Sequence, residues 1–198
     1  MQSDGTTILE SFYNDRYPDV VKRLKDEINP NYTYHCLNHV LDVIEAAERI
    51  AKAESVDESS LQIVKIAALY HDIGFLFQRK EHEAKSAEMF SEEALRFGLG
   101  DEVIIQITGC IMATKIPQNP QNLLEQIVCD ADLDYLGRDD YDSIADTLYN
   151  EMSLAGELSD LEKWKQIQIQ FLSNHNFHTA YSKNLRQPGL LNNLNSIR

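Results

Sequence analysis

Apolar residues recur along most of this chain at steps of three and four, the period that gathers them on one face of an α-helix. In "HVLDVIEAAERIAKA", residues 39–53, the face holds Val40, Val43, Ile44, Ala47, Ile50 and Ala51. "DESSLQIVKIAALYHDIG", residues 57–74, opens on helix-capping residue types and closes on Gly74. "EHEAKSAEMFSEEALRFGLG" is amphipathic and ends in glycines, and "DEVIIQITGCIMAT" repeats apolar residues at 103, 104, 107 and 111. Pro117 and Pro120 then break the chain, and "NLLEQIVCDADLDYLG" resumes a helix up to Gly137. "YDSIADTLYNEM" and "LSDLEKWKQIQIQFLSNHNFHTAYSKNL" continue the pattern, while the last ten residues, rich in Asn and Leu, give the weakest one. There is no convincing strand pair, Asn-Gly hairpin, internal repeat or low-complexity linker. The expectation is an all-α fold, eight or so helices bundled into a single domain over residues 1–198.

Composition narrows the function. A chain of 198 residues with 43% hydrophobic content can build a real core. Its formal net charge of −14 and pI near 4.7 argue against binding polymeric nucleic acid or an anionic membrane. The charge is uneven: residues 161–198 hold five Lys/Arg and one Glu, leaving the acidity to residues 1–160. That C-terminal segment either lies against the acidic body or offers positive charge to an anionic ligand. Cys36, Cys110 and Cys129 are far apart and form no C-x-x-C, as in a reducing compartment with unpaired thiols. "MQSDGTTILE" lacks the basic and apolar regions of a secretory signal, and no stretch approaches the roughly 20 apolar residues of a membrane span. The expected setting is cytoplasmic, with oligomerisation left open.

The chemistry starts at "YHDIG", residues 70–74, where an imidazole and a carboxylate close an apolar helix. Buried polar groups cost several kcal/mol unless satisfied, so this pair is either matched within the core or holds something. "YHCLNH" puts His35 and His39 at i and i+4, hence on one helix face, with His39 in step with Val43, Ala46 and Ile50. His71 is in step with Val64, Ala67 and Ala68, so both His39 and His71 point inward. "CDADLDYLG" offers Asp130, Asp132 and Asp134, of which Asp132 follows Val128 and Leu124 at steps of four. Two inward imidazoles and two inward carboxylates suit one divalent cation, and the two negative charges offset its charge. Taken singly, each His could donate to a core carbonyl and each Asp could cap a helix; the ordered set H…HD…D favours a metal.

"YHCLNH", "ALYHDIG", "EHEAKSA" and "DADLDYLG", spread over roughly residues 30 to 140, together resemble the HD-domain metal-dependent phosphohydrolases. The resemblance implies an all-α bundle whose metal is held by His39, His71, Asp72 and Asp132, and it favours Asp132 over Asp130. Residues 141–198 would then be additional C-terminal helices. Dinuclear members add two histidines between the doublet and the last Asp. His82 fits the first, but Thr114 stands near the place of the second, so one metal ion is expected: Mg²⁺, Mn²⁺, Fe²⁺, Co²⁺, Ni²⁺ or Zn²⁺.

Such a site implies hydrolysis of a phosphomonoester or phosphoanhydride of a small molecule, nucleotides included, by an activated water. Asp72 would orient that water and a protonated His82 or His35 would serve the leaving oxygen. Lys115, Arg79 and Arg138 are the cations nearest the predicted site edges, with Lys115 the candidate phosphate grip. "SNHNFHTAYSKNLR" places His175, His178, Tyr181, Lys183 and Arg186 in one helical stretch, facing either a common ligand or solvent over a packing face of Phe171, Phe177 and Tyr181. The competing functions are a ligand-binding or regulatory module without turnover, and a lyase or oxygenase on the same scaffold.

Overall fold

The computed structural model describes residues 3–198; the first two residues of the expected 1–198 domain, and with them the start of "MQSDGTTILE", lie outside the described residues. Among the described residues there are ten α-helices and no strand: α1 (Ser3–Asp26), α2 (Leu37–Ala53), α3 (Glu58–Tyr70), α4 (His82–Phe97), α5 (Asp101–Ala113), α6 (Leu123–Asp132), α7 (Tyr141–Leu154), α8 (Leu161–Asn174), α9 (Ala180–Leu185) and α10 (Gln187–Ile197). Short 3-10 turns lie at Ile73–Leu76 and Asp134–Gly137. No described helix is long and apolar enough to cross a membrane.

The helix α3 is the axis. From Gln62 to Tyr70 every residue but Lys65 is buried, because α1, α2, α5 and α6 pack around it. Asp57 starts it by accepting from the Ser60 amide at 2.8 Å, a cap worth about 1 kcal/mol. The face expected for α2 is buried, and its alanines at 46, 47 and 51 let neighbouring helices come close. Leu9, Phe12, Val20 and Leu24 of α1 close the outer side, with the Phe12 ring against Tyr70, Phe90 and Phe97.

A second apolar cluster joins the 134–137 turn, α7, α8 and α10 through Tyr135, Leu136, Trp164, Leu172, Leu190 and Leu194. Its backbones nearly touch: a Cβ on Gly137 would meet the Arg186 carbonyl oxygen at 2.2 Å, and one on Gly189 the Gly137 carbonyl oxygen at 2.1 Å. Beneath this contact the buried Asp134 carboxylate accepts from Arg49 at 2.7 Å and Arg186 at 2.8 Å. At Arg186, at least, the positive tail lies against the acidic body.

Three local expectations are corrected. The helix before "HDIG" ends at Tyr70 rather than Gly74, since Gly74 packs so closely on the His82 carbonyl that a Cβ there would lie 2.1 Å from it. His35 precedes α2, whose N-cap is Cys36, so it shares no helix face with His39, although the two rings lie 6.1 Å apart. Residues 158–185 are not one helix. The chain is extended at His175 (φ −80, ψ 137), and Asp130 takes the amides of His178 and Thr179, both at 2.8 Å. His175, His178 and Lys183 therefore do not share one helix face, although all three line one hollow.

Candidate metal centre

Where the two clusters meet, four side chains converge. His39 comes from the first turn of α2, His71 and Asp72 from the end of α3, and Asp132 from the last residue of α6. His39 Nε2 lies 3.2 Å from His71 Nε2, 3.4 Å from Asp72 Oδ2 and 3.2 Å from Asp132 Oδ1. His71 Nε2 lies 3.3 Å from Asp72 Oδ2 and 3.6 Å from Asp132 Oδ1. A cation about 2.1 Å from each donor would set neighbouring ligand atoms roughly 3.0–3.4 Å apart. His39, His71 and Asp72 meet that spacing, all their donor atoms lying within 4.8 Å of one another, while Asp132 approaches the two histidines from the side away from Asp72. Two further observations agree. Asp72 Oδ2 is buried with no hydrogen-bond partner. His71 Nδ1 is held by the Ala68 carbonyl at 2.8 Å, which fixes the tautomer and leaves the Nε2 lone pair free for a metal.

The electrostatics agree with the geometry. Burial pulls the His71 imidazole pKa down, but Asp72 and Asp132 outweigh it and raise it to about 9. Burial pushes Asp72 up, but His71 and His82 hold it well below the usual carboxylate range. The cluster favours positive charge: a proton when no cation is bound, a divalent ion otherwise.

His82 opens α4 beside this group. Glu81 before it is left-handed (φ 56, ψ 33), a conformation costing roughly 1 kcal/mol or more for a residue with a Cβ. His82 Nδ1 faces the Arg79 carbonyl at 3.0 Å, so Nε2 turns to Asp72 Oδ1 at 3.3 Å and Glu83 Oε1 at 3.5 Å. Asp72 thus divides its oxygens, Oδ2 to the ligand cluster and Oδ1 to His82. Burial lowers the His82 pKa, but Asp72 and then Glu83 outweigh it and raise it.

His35 stacks on Phe75 with ring centroids 4.2 Å apart, and its Nδ1 meets Glu151 Oε1 at 2.6 Å. Glu151 also accepts from the amides of Tyr34 and His35, both at 3.0 Å, and from Arg79 at 2.9 Å. Sequence reasoning passed over Glu151, although a signal was there: a carboxylate at the fourth position of the stripe Tyr141, Ile144, Leu148, where an apolar residue is expected. Glu83, buried next to His82, was passed over as well.

Other candidates lie elsewhere. Lys115 is not brought to the site: it follows the last turn of α5 outward and pairs with Glu81 at 2.6 Å on the surface. Arg79 is taken by Glu151 and Glu157, and Arg138 by Asp42 and Asp140. Thr114 shares a cavity wall with His82, but its hydroxyl donates to the Ile111 carbonyl at 2.8 Å. Asp130 anchors the 178–179 amides, two residues from Asp132. His175 and His178 line a neighbouring hollow with Lys183, which shares Ile116, Ile167 and Phe171 with the cavity beside His82, and burial there lowers the His175 pKa to about 4.

An all-α bundle that gathers imidazole and carboxylate donors from the ends of α2, α3 and α6 belongs to the class of helical metal-site proteins. The HD domain family model matches residues 36–134, half of the chain, and the chain belongs to that family. Membership places it in the metal-dependent phosphohydrolase superfamily, and His39, His71 and Asp72 form a group able to hold a divalent ion. Neither the curated proteins nor the solved structures gave a significant match.

Proposed function

We propose that this protein hydrolyses a phosphate ester or anhydride of a small molecule, with one divalent ion held by His39, His71, Asp72 and Asp132. The observation that carries the reading is the approach of His39 Nε2 and His71 Nε2 to the orphaned Asp72 Oδ2 at 3.4 and 3.3 Å, with Asp132 Oδ1 3.2 Å from His39 on their other side. A divalent ion bound there supplies Lewis acidity to water and to a phosphoryl oxygen. The residues do the rest. Water oxygen bonds to phosphorus, the bridging P–O bond breaks with its electron pair on the leaving oxygen, and a proton reaches that oxygen. His82, which lines the cavity, is suited to supply it: its Nδ1 is occupied by the Arg79 carbonyl, so exchange takes place at Nε2. His35, anchored through Nδ1 by Glu151, is the second candidate donor. Three unpaired cysteines, two of them buried, support a cytoplasmic setting.

The test is release of inorganic phosphate or pyrophosphate from a panel of nucleotides and sugar phosphates, with Mg²⁺, Mn²⁺, Fe²⁺, Co²⁺, Ni²⁺ or Zn²⁺ added in turn. Turnover should disappear on chelation and return with metal. Asp72→Ala should abolish it while circular dichroism stays helical. His82→Ala should slow it by roughly 10²–10⁴-fold. Near-wild-type turnover by metal-purified Asp72→Ala would sink the hydrolase reading and favour a ligand-binding module.

A further inference from the structure

The cavity over the metal cluster encloses ≈ 220 Å³, less than the roughly 300–1,000 Å³ of pockets that take drug-sized ligands. Its polar floor is Asp72, His82, Glu83 and Asp132. Its walls are rings and aliphatic side chains from α7, α8 and the 134–137 turn, among them Tyr135, Tyr141, Leu148, Met152, Trp164 and Phe171. No Lys or Arg is among its described lining residues. The three cations expected nearby, Arg79, Arg138 and Lys115, are each engaged by carboxylates of this chain.

We infer, building on the hydrolase reading above, that the substrate is a phosphomonoester of a compact, uncharged and largely apolar alcohol of one or two rings, and not a nucleoside polyphosphate or a sugar phosphate. One phosphate can be offset by the metal and the histidines. A second or third would sit among Asp72, Glu83 and Asp132 with no cation to meet it. A hydrated sugar would lose its water against walls that return few hydrogen bonds. A ring loses nothing by the exchange and fits the aromatic walls. The wall carries a few hydroxyl and amide groups, those of Tyr34, Tyr135, Tyr141 and Gln168, and among them the Tyr141 hydroxyl accepts from Gln168 Nε2 at 2.9 Å. It suits a single hydroxyl or carbonyl on the far side of the ring.

Trp164 is the chain's one tryptophan and stands in this wall, so occupancy is read without turnover. The metal-loaded protein is given phenyl phosphate, 1-naphthyl phosphate, glucose 6-phosphate and ATP, with phosphate release and Trp164 emission both followed. The expected result is kcat/KM for the aryl esters at least about 30-fold above glucose 6-phosphate and ATP, the order expected from burying one ring. The aryl esters alone should shift Trp164 emission. Leu148→Phe, at a half-buried wall position, should raise KM for 1-naphthyl phosphate about tenfold and affect phenyl phosphate less. Equal or faster turnover of glucose 6-phosphate or ATP overturns the inference and leaves the hydrolase reading intact. Emission shifts confined to the aryl esters, without phosphate release from any compound, keep the ligand class and overturn hydrolysis. Neither shift nor release overturns both.

Discussion

At the scale of single residues, the triplet "DAD" separates two duties that look alike in sequence. Asp130 and Asp132 are both acidic and both next to apolar positions, but they end on opposite sides of α6. Asp130 accepts two amides and the Thr179 hydroxyl, the last at 2.7 Å, whereas Asp132 faces the histidines. Asp132→Asn should weaken metal binding by roughly 100-fold or more, since loss of even an outer partner of a ligand costs about 10–100-fold. Asp130→Asn should keep the metal and lower stability by about 1–3 kcal/mol, because its new NH₂ faces donors. Elemental analysis and thermal melts on both variants check this, and the reverse pattern would exchange the two roles. His39, His71 and Asp132 were legible as inward-facing because each sits in step with apolar neighbours; Asp72 came with its neighbour His71, and the choice of Asp132 over Asp130 came from the family resemblance. Glu151 was marked only by its place in the apolar stripe of α7, since its partners Arg79 and His35 lie 72 and 116 residues away, and nothing local marks Glu83, next to His82, as buried. Lys115 was misleading for the opposite reason: adjacency to Thr114 in sequence does not carry over to the same side of a helix end.

At the scale of elements, the turn between α3 and α4 sets the distance between Asp72 and His82. Gly74 donates its amide to Ser86 Oγ at 2.8 Å and leaves no room for a side chain before the His82 carbonyl. Gly74→Ala must push the start of α4 away. Expected are a loss of about 2 kcal/mol or more and a fall in kcat that exceeds any rise in KM, measured by chemical denaturation and steady-state rates. A melt and rates equal to wild type would mean that the turn adjusts freely. Helices α2 to α7 were readable from periodicity and from Pro and Gly breaks. The break after Asn174 was not, because its cause is the remote carboxylate of Asp130 competing for the amides of residues 178 and 179. The ends of "HDIG" and the entry to α2 were hidden likewise, being set by contacts rather than by propensity.

At the scale of the whole molecule, the second apolar cluster is tied to the first partly through ionised groups. Glu151 joins α7 to the segment 34–35 and to Arg79. Burial pushes its carboxyl upward, but His35 and the two amides outweigh burial and hold it below its ordinary 4.5. A carboxyl depressed in the folded state stabilises fully above the unfolded value, near pH 4.5, and that stability disappears as pH falls through the lower folded value. Glu151→Gln should therefore melt lower than wild type at pH 7, and the gap should narrow by pH 3 in thermal scans. A gap that stays constant would show that Glu151 acts by shape and not by charge. The acidic composition and the basic tail were visible from the outset; that Arg186 spends its charge on Asp134 needed the packing of α10.

The side chains at 39, 71, 72 and 132 precede, along the chain, every residue of α7 and α8 that walls the cavity above them. On the ligand set proposed above, synthesis at about 5–20 residues per second brings out the donor residues seconds before their cover. Any ion captured in that interval is enclosed by the helices that follow. Which ion the finished protein carries then depends on the supply at the ribosome as well as on the preference of the completed site. Protein made in a metal-starved medium and loaded afterwards is expected to carry a different ion mixture from protein made in the presence of metal.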